Sequence, residues 1–269
     1  MQGRVLIIAG SDPSGGAGVQ ADIKTVTALG GYAAAAITSL TVQNTRGVTA
    51  AHPVEPAIIR DQILAVLDDI GADAIKIGMI GARAAAIAIA DALVEFAATI
   101  PIVLDPVLVA TSGDALAEDG MPALLLERLA PLAAIVTPNA EEAARLTGIA
   151  VNSSDDLVAA GTALIRRGAT AALVKGGHLK GDIVEDALVT LDGARIFRNP
   201  RIETTSTHGT GCTLASAVAT GIAQGLPLAA AVKRAIDYVQ EAIRTAPGFG
   251  TGSGPLNHAW PVARPVQRD

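Results

Sequence analysis

Short runs rich in Val, Ile, Leu and Ala alternate along this chain with longer stretches of helical periodicity, and that alternation leaves few folds open. The runs are Val5 to Ala9, Ala34 to Leu40, Ala74 to Ile77, Ile102 to Leu104, Ala134 to Val136 and Ala171 to Val174. A strand covered by helices on both faces reads as a continuous apolar run, so the pattern predicts an α/β fold with a mostly parallel central sheet. Helices are expected over Pro56 to Asp69, Arg83 to Ala98, Met121 to Leu129, Asp155 to Arg167, Leu214 to Gln224 and Leu228 to Thr245. Asp192-Gly193, between Asp186 to Leu191 and Arg195 to Asn199, is a strong hairpin signal and predicts an antiparallel edge. Half of the residues are apolar but only three Phe, two Tyr and one Trp are present, so the core is built from aliphatic side chains. With 269 residues, no internal repeat and no long linker, a single domain over 1–269 is expected.

The net charge of -6 and the absence of a basic run argue against nucleic acid or an anionic membrane as partner. A small molecule is favoured instead. The apolar stretch Ala82 to Ala98 is interrupted by Arg83, Asp91 and Glu95, which disqualifies it as a membrane span. One cysteine forms no internal disulfide, and Val5 to Ala9 is too short for a signal peptide, so a cytoplasmic location is expected.

In open α/β sheets ligands bind outside the carboxyl ends of the strands. Those ends carry Gly10-Ser11-Asp12, Thr41-Val42-Gln43-Asn44, Gly78-Met79, Asp105-Pro106-Val107, Thr137-Pro138-Asn139 and Lys175-Gly176-Gly177-His178, which therefore converge on one crevice. The strongest candidate for chemistry is His208-Gly209-Thr210-Gly211-Cys212, a glycine-punctuated turn running into an Ala-rich helix. Successive amides there and the helix dipole form a cradle for a developing anion, and Cys212 in the first turn is a candidate base. A glycine-rich turn with a small packed cysteine is the plain structural alternative. The loop Gly10 to Gly18 lacks the lysine of a P-loop. Gly16 to Ala21 fits a dinucleotide fingerprint, yet after Asp22 the next acidic residue is Glu55, too far for the ribose carboxylate. Asp22 remains as an acceptor. Gln43 offers a carbonyl beside an NH2, the complement of an aminopyrimidine edge. Asn139 with Glu142 has the spacing of a capping box, and Glu142 and Asp105 are also candidate carboxylates for a hydrated Mg2+.

These motifs, together with Ala9 to Asp22 and Lys76-Ile77-Gly78-Met79, resemble the ribokinase-like superfamily, and within it the hydroxymethylpyrimidine/phosphomethylpyrimidine kinases of thiamine biosynthesis. The resemblance covers nearly the whole chain. It implies transfer of the γ-phosphoryl of ATP, with Mg2+, to 4-amino-5-hydroxymethyl-2-methylpyrimidine and then to its monophosphate. It assigns the pyrimidine to Gly10, Asp22, Gln43, Met79 and Val107, the base to Cys212, and the anion hole to Gly209, Thr210 and Gly211. Asn139, Lys175 and Thr210 fall to the nucleotide, Glu142 and Asp105 to the metal. The base role requires a Cys212 pKa lowered to roughly 3.5 to 7.5. Ile236 stands where many relatives carry a lysine, and relatives of this kind are commonly homodimers. Three other readings compete: a pyridoxal kinase of the same superfamily, a dinucleotide-dependent oxidoreductase, and a ligand-binding protein without turnover.

Overall fold

The computed structural model describes residues 2–109 and 118–262. Strand β1 (Arg4–Ser11) leads through α1 (Gly18–Ala28) to β2 (Tyr32–Asn44), which turns back as β3 (Gly47–Pro53). Then come α2 (Pro56–Asp69), β4 (Ala74–Ile77), α3 (Arg83–Leu93), β5 (Ile102–Leu104), the short α4 (Met121–Leu124) with an irregular continuation to Leu132, and β6 (Ile135–Val136). The chain continues through α5 (Ala140–Thr147), α6 (Ser154–Arg166), β7 (Ala172–Lys175), β8 (Ile183–Thr190), β9 (Gly193–Pro200), α7 (Thr210–Ala223) and α8 (Leu228–Arg244).

The nine strands form one sheet in the order β3-β2-β1-β4-β5-β6-β7-β8-β9. Strands β2 through β7 in that order are parallel, while β3 pairs antiparallel with β2 at one edge and, at the other, β8 pairs antiparallel with β7 and β9 with β8. Successive strand residues point to opposite faces. Accordingly Val5, Ile7 and Ala9 of β1 join a core with Val19, Leu214 and Val232 on the face of α1, α7 and α8. Leu6 and Ile8 join the opposite core with Ile59, Ile89 and Leu164, on the face of α2, α3 and α6. The connections leave β1 toward β2 on one side and return to β4 on the other, so the strand order reverses between β1 and β4 and a crevice opens at their carboxyl ends.

Three expectations need correction. The second strand runs on to Asn44, which places Gln43 on a strand rather than in a loop, and the antiparallel β3 escaped the apolar pattern altogether. Both follow from exposure: β3 is Gly-Val-Thr-Ala-Ala-His-Pro with no fully buried residue, and a strand with little to bury carries no hydrophobic signature. The third helix stops at Leu93, five residues short of Ala98, and continues as hydrogen-bonded turns to Ile100 before Pro101.

Candidate functional site

Helix α7 begins inside the crevice. Its N-cap, Gly209, has φ 79°, and a Cβ at that position would overlap the carbonyl oxygen of Gly16 in the loop after β1. Only glycine satisfies both demands. We expect Gly209→Ala to cost about 1–3 kcal/mol from the left-handed backbone, and more from the collision. Gly148→Ala, with the same φ of 79° but open space around it, should cost distinctly less in thermal unfolding. Thr210 N–H bonds to the Thr207 carbonyl at 3.3 Å. The next amides, Gly211 and Cys212, lie in the first helical turn and have no intrahelical acceptor, so they and the dipole favour negative charge.

Cys212 follows at once and is half-buried. Its thiol does not show the lowered pKa expected of a helix N-terminus: burial pushes it up to about 11, and the charges of Asp22 and Asp105 add to the rise. Lys76 and the Gly18 N–H pull the other way without overcoming it. In this crevice the loss of water outweighs the half-charge of a helix end.

Lys76 enters the sequence reasoning only as the first residue of the motif Lys76-Ile77-Gly78-Met79, with no role assigned to it. It pairs with Ile7 across β1 and β4, and its side chain is fully enclosed between sheet and helices. Its Nζ lies 2.7 Å from Asp22 Oδ2 on α1, while Ser216 Oγ on α7 donates to Asp22 Oδ1 at 2.7 Å. Burial works against the ammonium, but Asp22, with Cys212 and Asp105 beside it, holds the Lys76 pKa above its ordinary value. A Cβ at Gly78 would sit 2.6 Å from that ammonium. A lysine amid Ala-Ile-Lys-Ile was the signal available in the sequence. Asp22, expected as a direct ligand acceptor, has both oxygens engaged in this network and lies fully buried.

On the other side of α7, Lys175 Nζ lies 3.1 Å from Asp105 Oδ1, which also accepts from Thr137 Oγ1 at 3.0 Å. A Cβ on Gly211 would stand 3.2 Å from Lys175 Nζ and 3.6 Å from Asp105 Oδ2, so this ion pair borders the start of α7. The capping box is complete: Glu142 N–H donates to Asn139 Oδ1 at 2.9 Å and Asn139 N–H to Glu142 Oε2 at 2.8 Å. Burial, reinforced by Asp105 and opposed by Lys175, pushes the Glu142 carboxyl up to about 7. Among the described residues no group of three or more His, Cys, Asp or Glu is arranged to hold a metal. Two carboxylates with substrate oxygens and water completing the shell suit Mg2+, which seldom takes an all-protein cage.

The pyrimidine positions divide. Gly10 N–H bonds the Met79 carbonyl at 3.0 Å, and a Cβ on Gly10 would stand 3.2 Å from Met79 Sδ, so these two are neighbours. Val107 lines a small apolar niche with Gly78, Ile80 and Pro106. Gln43 Nε2 lies 3.4 Å from His208 Nε2, which is 2.8 Å from Asp12 Oδ2. Asp12 also accepts from Ser14, Gly16 and Ala17 amides, so the loop N–H groups that a dinucleotide phosphate would need are already bonded within the protein. Gly18, with φ 58°, packs where a Cβ would strike the Gly10 carbonyl, giving the fingerprint glycines an internal packing role. Ile236 sits in the apolar core.

The segment after α8 crosses over this loop. Ser253 N–H bonds to the Thr45 carbonyl at 2.8 Å, Gly254 N–H to that of Thr205 at 3.0 Å, and His208 N–H to that of Gly254 at 3.1 Å. The buried His258 then meets Thr213 Oγ1 at 3.0 Å and offers its carbonyl to Tyr238 OH at 2.6 Å. It ties the end of β2 to the start of α7.

Comparison with known proteins bears on what this crevice does. A family model described as phosphomethylpyrimidine kinase matches residues 12–257. A Rhizobium meliloti hydroxymethylpyrimidine/phosphomethylpyrimidine kinase is 49% identical over 258 residues, covering 94% of this chain and 96% of that protein. A thiamine biosynthesis bifunctional protein of Geobacter sulfurreducens is also 49% identical over 260 residues, 96% of this chain, and the chain spans about half of its length (52%). Among solved structures, an ADP complex of Bacillus subtilis pyridoxal kinase superposes with a TM-score of 0.88 at 31% identity, over 96% of this chain and 98% of that one. The higher identity lies with the pyrimidine kinases, and the family match begins just past the end of β1 and takes in the ends of the other strands of the crevice. The chain belongs to the phosphomethylpyrimidine kinase family.

Proposed function

We propose that this protein transfers the γ-phosphoryl group of ATP to the hydroxymethyl group of 4-amino-5-hydroxymethyl-2-methylpyrimidine and then phosphorylates the monophosphate. The observation that carries the reading is the first turn of α7, where amides without helical acceptors, a thiol and the Lys175–Asp105 pair meet at one strand-end crevice. Phosphoryl transfer needs positioning and charge stabilisation more than covalent chemistry. The amides of Gly211 and Cys212 take the charge that grows on the migrating group, and the Gly209–Thr210 turn holds them in line. Lys175 contacts the nucleotide phosphates and Asn139 orients them from the start of α5. Asp105 and Glu142 would hold Mg2+, which would supply neutralisation of phosphate charge. Cys212 accepts the proton of the substrate hydroxyl as its thiolate; with the resting thiol pushed up to about 11, only a small fraction is in that form at neutral pH, and turnover through it rises with pH. Gln43, Gly10, Met79 and Val107 border the ring, and Asp22 acts from beneath it through Lys76.

One continuous sheet through both halves supports treating residues 1–269 as one kinase domain. No described helix is long and apolar enough to cross a membrane. We place the enzyme in the cytoplasm, as a homodimer with the exposed Leu40 and Val42 of β2 available to the contact. A pyridoxal kinase is the second reading, favoured by the TM-score of 0.88. ADP release with Mg-ATP and either the pyrimidine alcohol or pyridoxal distinguishes them: the pyrimidine should be consumed with the higher kcat/KM, and turnover of pyridoxal alone would overturn the assignment.

A further inference from the structure

The Asp12 carboxylate is saturated with donors. Oδ1 accepts from Ser14 N–H at 2.9 Å, and Oδ2 accepts from Ser14 Oγ at 2.9 Å, Gly16 N–H at 3.2 Å and Ala17 N–H at 2.8 Å. Burial opposes the charged form, but these bonds and that from His208 outweigh it and hold Asp12 below the ordinary carboxylate pKa. An ionised carboxylate only accepts, so the His208 Nε2 placed 2.8 Å from Oδ2 carries a proton and donates it.

That proton settles the state of Gln43. With its Nε2 toward the same His208 nitrogen, at 3.4 Å, the amide sets a donor against a donor. Its Oε1 lies 3.3 Å from Thr41 Oγ1, whose single hydrogen is spent on the Ser11 carbonyl at 2.7 Å, an acceptor against an acceptor. A half-turn of the carboxamide corrects both contacts at once. The oxygen then faces the His208 N–H as the weaker, second acceptor of a hydrogen given chiefly to Asp12, the NH2 meets the Thr41 lone pair, and amide oxygen and nitrogen exchange at almost no steric cost. Gln43 keeps one N–H and one lone pair unspent, in an order dictated from both ends.

We infer that His208 is a positioning residue for substrate specificity: the relay Asp12–His208–Gln43–Thr41–Ser11 locks the carboxamide of Gln43 in one orientation, so that it reads a ring nitrogen beside an exocyclic amine. Released from the relay, the amide turns to match the reverse pattern as well, and discrimination against rings without that amine weakens. The inference rests on the pyrimidine reading above.

The test is the ratio of kcat/KM for the aminopyrimidine alcohol to that for pyridoxal in wild type, His208→Leu, His208→Gln and Thr41→Val. A lost matching hydrogen bond is worth about 10-fold. His208→Leu and Thr41→Val should each lower the ratio about that much with the KM for ATP unchanged, and His208→Gln, which keeps an N–H toward Asp12, should restore it. A ratio unchanged in both variants, or equal losses for both substrates, overturns the inference. Thr41→Val decides alone should His208→Leu not fold. A wild type that consumes pyridoxal and not the pyrimidine overturns the substrate reading instead, so the two failures are separable.

Discussion

Cys212→Ala lowers turnover about 10²- to 10⁴-fold, the usual worth of a positioned general base, and leaves ATP affinity nearly intact. The loss falls on kcat because the thiol acts on the hydroxyl in flight rather than on the bound nucleotide. A pH profile sharpens the test. A base works when deprotonated, and the resting thiol is pushed up to about 11 by burial, so wild-type kcat/KM should climb with pH through the neutral range. Cys212→Ala should flatten that climb. Full activity in the variant would make Cys212 a packing residue, and a wild-type plateau across neutral pH would mean that the thiol is already ionised in the free enzyme.

Lys76→Met destabilises the fold by about 3–5 kcal/mol, because it strands the Asp22 carboxylate in a site where, among the described residues, no other cation is in contact. Asp22 is fully buried, and its other partner is the neutral hydroxyl of Ser216. The double variant Lys76→Met/Asp22→Leu should recover most of that loss, since removing both charges also removes the cost of burying them. Urea unfolding with an unchanged m-value reads the difference. If the double variant were as unstable as the single one, the pair would be stabilising in its own right. The recovered protein is also informative for activity: Lys76 leads the groups that lower the Cys212 pKa, so turnover should stay low even though the fold returns.

Much of the architecture was legible in the chain. Each of the six apolar runs overlaps a strand: those of β1 and β2 lie inside them, those of β4 and β5 coincide residue for residue, and those of β6 and β7 begin one residue early, because a strand buried on both faces writes its limits in consecutive aliphatic residues. Asp192-Gly193 marked the β8–β9 turn through the backbone angles it requires, and Asn139 with Glu142 marked the start of α5 through its own hydrogen bonds. These are local signals. The half-exposed β3 left none, and α3 ended early within a composition still favourable to helix.

The site divides along the same line. Residue types and strand-end positions were enough to bring Cys212, Gly209, Gly211, Asp105, Lys175, Glu142 and Gln43 to one crevice, since a parallel sheet delivers its carboxyl ends to one side. What the chain alone could not decide was which of them touch and what water remains between them. Only the packed structure joins Lys76 to Asp22 across 54 positions and His208 to Asp12 across 196, and only enclosure there turns a thiol expected to be acidic into one held above its ordinary value. Hydrogen-bond partners far apart in sequence and the desolvation of a charge are properties of the assembled volume, and no window of residues contains them.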